Sequence, residues 1–380
     1  MPNFILINFS LKEEKTNMAT FTGMLNTNEI FAALYNMIIS QQVFADNIAD
    51  TKATLVDMAR VDGGLYGDTK LYYATDALKS TRWGNDAEAT NLLAINRPEA
   101  PKCQAIELDE FRQISLTVDD YLSKRAWGTA DAFASFNSIM LGWLRDTKRI
   151  YDATTYNAYV GTATTAIGGQ TVTVDVTNAT NGLTGEEAAR VEAGVIGEAI
   201  ANLMVNLEDV SRDYNDYGFL RSYNLDDLIF VWNSAVVSKI EKRDLPSTFH
   251  KDFIDKFAQY TLPARYFGTV NATETTGNGT TVRSLIEQDL KETSGSTVHH
   301  VFAGDLIPTT CKAPANTSYT TNDKIACKVM HKRSIPYMSA FEVGTSFFNP
   351  KSLTENHYLT FGHNSLEYLK QYPLVTIKLA

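Results

Sequence analysis

The sequence predicts an α+β chain whose elements reach beyond a single core, and three observations carry that prediction. A helical period of unusual length runs through residues 129–159. Alternating or continuously apolar runs of strand length crowd the last third of the chain. Two stretches, 28–58 and 74–102, carry apolar residues with no evident partner nearby in the sequence. The 380 residues are 44% hydrophobic and 11% aromatic, enough for a large core and against intrinsic disorder. Charged residues make up 21%, below the roughly 25% usual in soluble domains, as suits a surface partly covered by partners. The net charge of −10 argues against a protein that coats DNA, because duplex binding rests on Lys and Arg neutralising phosphates. No apolar run approaches the ~20 residues that span a bilayer, so no membrane role is expected. Cys103, Cys311 and Cys327 are too few and too scattered for a disulfide framework or a thiolate zinc site.

Taken in order, residues 1–17 read as a translated leader. No Lys or Arg precedes the apolar run at Phe4 to Phe9, and Lys12-Glu13-Glu14-Lys15 stands where a signal peptide would have its cleavage site. The codons AAG-GAG-GAA for Lys-Glu-Glu would form a ribosome-binding sequence just ahead of Met18. Residues 18–60 then form an N-terminal arm in which Ile30, Leu34, Met37 and Ile38 make an apolar stripe at helical spacing. Deleting residues 19–58 is expected to leave a folded core and to block association.

Residues 61–118 read as an extended hairpin. Lys70 to Tyr73 opens it as a strand, and Ile114, Leu116 and Val118 alternate with Ser115 and Thr117 on its return. Roughly 30 residues of loop lie between, longer than a compact domain tolerates without a purpose. The loop holds Arg82, Trp83, Leu92, Leu93 and Ile95, which we take with the arm stripe as candidate contact residues. Next comes the long helix (119–160 with its approach), about 45 Å at 1.5 Å per residue, with Phe133, Phe136 and Met140 on its stripe. The Thr- and Gly-rich residues 161–184 are expected to hold an inserted hairpin. A capping box, Thr184 with Glu187, opens a helix whose Ile196, Ile200, Leu203 and Leu207 share a face. Residues 185–324 form a mixed α/β unit: a buried strand at Leu228 to Trp232, a helix capped at Asn233-Ser234, a polar loop at 271–281, a helix over 282–292, a strand at 298–302 and a linker at 308–321. Residues 325–380 close the chain with strands at 325–331, 338–343, 357–368 and 374–379.

Chemistry is sparse. His299-His300 with Asp305 is the one spot resembling a site, but adjacent strand residues point to opposite faces and cannot share a metal. Cys327 reads as a small core residue. No nucleophile elbow, zinc-binding helix or phosphate loop occurs. The expectation is no catalytic residue, no metal site, no cofactor and no enzymatic activity.

The order of elements points further. Tyr66-Gly67-Asp68-Thr69-Lys70 looks like a rising loop strand, and Glu110-Phe111-Arg112-Gln113-Ile114-Ser115-Leu116-Thr117-Val118-Asp119-Asp120 like a falling one. Phe348-Asn349-Pro350 and the terminal strands resemble a return through the domain that holds the long helix. Over residues 19–380 this resembles the major capsid proteins of tailed bacteriophages, the Hong Kong 97-type fold. The resemblance implies an icosahedral shell subunit, arranged in pentamers and hexamers around double-stranded DNA that it does not read by sequence. It implies that the long helix is the spine of a peripheral domain, 185–324 an axial domain, and 325–380 strands shared between the two. It further implies residence in the virion after assembly in the host cytoplasm, a portal as partner and a decoration protein as a further candidate. Some relatives carry a cleaved scaffolding segment, and the short arm here points instead to a separate scaffolding protein. Some relatives join a Lys to an Asn between subunits; Lys79 and Asn349 match no such motif. Two other readings stay open: an encapsulin-type protein compartment and, from a different class, a monomeric binding or adhesion module.

Overall fold

Strands that alternate between two buried faces organise the structure. The computed structural model describes residues 54–63, 69–80, 97–119, 130–163, 170–241 and 258–380. The helices are α1 (Thr54–Ala59), α2 (Ala130–Thr162), α3 (Val176–Ala179), α4 (Gly185–Glu208) and α5 (Ser234–Glu241). One sheet has the order β4 (Thr171–Val174), β17 (Leu374–Leu379), β14 (Ile325–His331), β5 (Leu228–Asn233) and β6 (Ala258–Leu262). Another has the order β1 (Arg60–Asp62), β15 (Tyr337–Asn349), β16 (Thr354–Asn364), β3 (Lys102–Asp119) and β2 (Thr69–Ala74). The chain therefore mixes helices and strands as the α+β prediction requires.

Two compact units emerge. Phe111–Ile150 and Glu342–Phe361 belong to one, and Ala53–Glu110, Tyr151–Phe341 and Gly362–Ala380 to the other. The chain passes between them within α2, β3, β15 and β16. In the smaller unit, Thr117 Oγ1 donates to Asn356 Oδ1 at 2.7 Å, and Lys148 pairs with Glu342 at 3.6 Å.

The core of the larger unit follows from strand periodicity. Leu228 and Phe230 pack with Ile196, Ile200, Leu203 and Leu207 of α4, together with Cys327, Val329, Val375 and Ile377. Ile229 and Val231, pointing the other way, pack with Tyr156, Ala158 and Val160 of α2. A sheet covered on both faces needs strands that are apolar at every position, which is why 228–232 reads as a continuous run. Asn233 ends that run and turns it into a helix: its Oδ1 accepts the backbone N–H of Ala235 at 3.0 Å while its Nδ2 donates to the Ile325 carbonyl at 2.9 Å. Thr184 is the residue before α4, as expected, but makes no side-chain capping bond there.

Four expectations need correction. Residues 161–184 hold no inserted hairpin among the described positions: β4 pairs in parallel with β17, and α3 follows. Its alternating Thr and Val let one face of β4 join the core, through Val174, at the edge of a large sheet. Residues 282–292 are two strands, β9 (Val282–Ser284) and β10 (Gln288–Lys291), not a helix. Val282, Leu285, Ile286 and Leu290 mimic a helical period, but pairing with β13 (Ser318–Thr321) and β11 (Val298–Val301) overrides it. The expected linker at 308–321 is folded into small sheets, with Cys311, Ala313, Ser318 and Tyr319 fully buried. The arm, finally, stops being separable at Thr54, because Leu55, Val56 and Ala59 of α1 lie in the core. Deleting residues 19–58 would remove two of those three side chains, at about 1.5–3 kcal/mol for each of the larger ones.

Gly161, near the end of α2, shows how close this packing is. A Cβ added there would stand 2.1 Å from the Tyr266 carbonyl oxygen, a backbone atom that cannot swing away. Gly161→Ala should therefore destabilise the protein by about 3 kcal/mol, the upper part of the overpacking range. Gly142→Ala, in the same helix with nothing within 4 Å, is the control and should cost nothing or stabilise slightly. Denaturant midpoints of the two variants check the contrast.

Candidate interaction surfaces

The contact residues nominated from the sequence divide into two groups, and both lie outside the described residues: Ile30, Leu34, Met37 and Ile38 in the arm, and Arg82, Trp83, Leu92, Leu93 and Ile95 in the loop. What the structure does give is the root of each segment.

The arm enters the core through α1 and Arg60. Arg60 Nη2 donates to Asp152 Oδ2 at 3.1 Å and Nε to Asp57 Oδ1 at 3.0 Å. Asp152 is fully buried, and the Tyr337 hydroxyl donates to its other oxygen at 2.6 Å. Burial and the neighbouring Asp152 charge push the Tyr337 phenol up. Beside this group, Tyr151 and His363 share a 2.7 Å hydrogen bond, and the His363 ring stacks on Tyr337. Sequence reading missed Asp152, though a signal exists: it falls eight residues after Leu144 and four before Tyr156, on the buried stripe itself.

The loop is rooted by Asp76. Its Oδ1 accepts the Leu220 backbone N–H at 2.9 Å, and its Oδ2 accepts Arg212 Nη1 at 2.8 Å. Those donors, the Leu220 N–H foremost, hold the carboxyl at about 2. Arg221 Nη2 adds a bond to the Thr75 carbonyl at 2.6 Å. Past this root, Leu78 and Lys79 on one leg and Glu99 on the other stand almost free of their own unit, at 79%, 90% and 79% exposure, the latter two as side chains. Lys79 and Glu99 face one another at 3.9 Å.

Apolar side chains also stand exposed among the described residues. Leu71 and Tyr73 share the outward face of β2. Val343, Phe347, Phe348 and Leu353 crowd the β15–β16 end of the smaller unit, where Leu353 takes a left-handed backbone at φ 56°. Val298, Phe302 and Leu306 flank β11. A cleft of about 600 Å³ in the smaller unit is lined by Arg145, Glu342, Thr345, His357 and Tyr358 among others.

The His299-His300 pair points to opposite faces, as strand geometry requires, but neither ring bonds Asp305. His299 Nε2 lies 3.0 Å from Glu292 Oε1, and His300 contacts Asp289 and Glu287, while Asp305 pairs with Arg265 at 3.8 Å. Cys327 sits fully buried in β14, where burial pushes its thiol up. Among the described residues no three His, Cys, Asp or Glu side chains are placed to hold a metal, and no helix is long and apolar enough to cross a membrane. Among the described residues the buried polar groups anchor segments, and the surface carries apolar side chains beside charged ones.

Residues 7–375 match the family model described as Phi29-like phage major capsid protein. A chain in the capsid structure of Staphylococcus phage Andhra is similar at 10% identity, over 85% of this chain and 83% of that one, with a TM-score of 0.56. A chain in the structure of the head fiber and inner core protein gp22 of native bacteriophage P68 is similar at 11% identity, over 85% and 83%, with a TM-score of 0.57. Identities this low speak for the fold alone, and that fold is the one expected from the order of elements. No curated protein matches the chain.

Proposed function

The chain belongs to the Phi29-like phage major capsid protein family, and from that premise we propose how it builds a shell. Many copies associate as pentamers and hexamers into an icosahedral head around double-stranded DNA, in the host cytoplasm, and remain in the virion. Its role is structural, with no catalytic step. Residues 119–160 serve as the spine of a peripheral domain and 185–324 as the bulk of an axial domain. A separate scaffolding protein, a portal and a decoration protein are the candidate partners. Family membership leaves no support for the compartment and adhesion readings.

The observation that carries this proposal is the loop that is fixed at its base and uncovered beyond it. Asp76 and Arg221 tie the root to the 209–222 segment, yet Leu78, Lys79 and Glu99 have almost no cover from their own unit. Legs that leave β2 and β3 without cover from their own unit need support, and a neighbouring copy is its natural source. Contacts repeated around a closed shell can each be modest, near ~800 Å² per partner, and still hold it. The acidic chain, at −10, keeps DNA from adhering to the wall.

Trypsin tests the arrangement, with Lys79 and Arg82 as its sites in the loop, since Pro98 protects the bond after Arg97 and Lys102 already belongs to β3. We expect fast cleavage there in free subunits and strong suppression in particles verified by negative-stain microscopy. Equal resistance in both forms would show the loop packed on its own unit and would overturn the reading.

A further inference from the structure

β10 and β11 form a two-stranded sheet by themselves, with Asp289 directly opposite His300 and Lys291 opposite Val298. One face of the pair is seated, with Leu290 and Val301 buried beside Val282, Ile307 and Cys311 and with Glu292 bridged to Cys311, so the contacts of the opposite, His300 face decide how tightly that side closes. Both ring nitrogens of His300 meet carboxylates: Nδ1 lies 2.7 Å from Asp289 Oδ1 and Nε2 lies 3.1 Å from Glu287 Oε1. An ionised carboxylate only accepts hydrogen bonds, and a neutral imidazole has one N–H. The neutral ring can serve one of these partners and must turn a lone pair toward the other. The imidazolium alone satisfies both. Phe302 packs edge-on to the same ring with centroids 4.9 Å apart, so the state of His300 also bears on an exposed apolar residue. On the opposite face His299 Nε2 meets Glu292 Oε1 at 3.0 Å, and Thr310 Oγ1 donates to that same oxygen at 3.3 Å.

We infer that the β10–β11 hairpin is a proton-gated element, closed while His300 carries both ring protons and loosened when one leaves. The charged groups facing His300 are Asp289 and Glu287. Lys312 on the neighbouring β12 (Lys312–Ala313) is engaged by Glu274 at 3.5 Å, and Asp305 by Arg265. The hydrogen bond to Asp289 raises the His300 pKa from its ordinary 6.5 despite partial burial. A base whose folded pKa is raised adds stability that is complete below 6.5 and disappears as pH climbs through the raised value. Glu292 works in the opposite sense. Its pKa is lowered from 4.5, chiefly by His299, so its contribution is complete above 4.5 and disappears as pH falls through the lowered value. The hairpin thus has a closed window bounded by Glu292 on the acid side and His300 on the alkaline side.

The test uses the full chain with ring-labelled histidine, followed by NMR, with His300→Gln assigning the resonance. The expected result is a His300 midpoint above 6.5 that falls back in the Glu287→Gln/Asp289→Asn double variant. Hydrogen exchange at the Leu290 and His299 amides, corrected for intrinsic chemistry, should lose protection by roughly threefold or more between about pH 5.5 and about pH 8. The wild-type titration decides the matter even if the variant fails to fold. A midpoint at or below 6.5, or corrected protection that does not change with pH, overturns the inference.

Discussion

Lys328→Met should make the protein more stable at neutral pH and less stable at strongly alkaline pH. Lys328 lies in β14 with no exposed surface, on the face that α2 covers, and its Nζ donates to the carbonyl of Ala163 just past the end of that helix. Burial brings its pKa from 10.5 down to about 7. The folded state therefore binds fewer protons than the unfolded one between those values, so stability rises with pH across that interval. Below about 7 the full cost of charging a buried amine is present, roughly 5 kcal/mol at about 1.4 kcal/mol per pH unit. Met removes that cost but leaves the Ala163 carbonyl without its donor, at about 1–3 kcal/mol. A net gain of roughly 2–4 kcal/mol at pH 7 follows, with the sign reversed above 10.5, where the wild-type amine is neutral in both states. Guanidinium titrations of both proteins across this range would show the two stability curves crossing. Parallel curves would mean that the amine is hydrated in the folded protein.

Arg60→Ala is the second large effect, and it should destabilise by about 3–5 kcal/mol. Asp152 is fully buried, and removing the guanidinium takes away the cation that now stands 3.1 Å from it, while the Tyr337 hydroxyl stays. Arg60 is about one-third exposed, so water screens part of its own charge; the cost arises on the Asp152 side, where water does not reach. Asp57→Ala removes the other, exposed half of the Arg60 pair and should change stability by less than about 1 kcal/mol. Comparable losses in both variants would place the weight of the cluster outside the buried pair.

Much of this fold was legible because burial on two faces leaves a strong mark. The run Leu228 to Trp232 and the strands at 325–331 and 374–379 stand in the structure where the apolar runs place them. The long helix likewise announced itself by its period. The strand at 298–302 was read where β11 lies, but the segments 282–292 and 308–321 were not legible, because Val282 and Ser284 owe their burial to β13, more than thirty positions away in sequence. A window of neighbouring residues contains no trace of such pairing, and the accidental 3–4 spacing of Val282, Leu285, Ile286 and Leu290 then prevailed. The same blindness hid the anchors. Asp76 gains its meaning from Arg212 and Leu220, and Lys328 from Ala163, all remote in the chain. The opposite-face geometry of the histidine pair followed from strand periodicity, but its acidic partners Glu287, Asp289 and Glu292 come into reach only once β10 is a strand paired with β11.

The sheet order β4-β17-β14-β5-β6 has a consequence for how the subunit comes into being on the ribosome. β17 leaves the exit tunnel after β4, β5, β6 and β14, yet it is not an edge strand: it lies between β4 and β14 and pairs with both. Until residues 374–379 emerge, β4 has no hydrogen-bonding neighbour and the inner face of α4 is missing Val375 and Ile377. Nucleation can begin earlier, at the β5–β14 pair, but closure of the sheet waits for β17. The β4 edge of the sheet is thus left waiting from Val174 to Leu374, while the ribosome adds about 5–20 residues per second. A chain stalled between those two strands carries an open sheet edge and an uncovered patch of α4 on the ribosome.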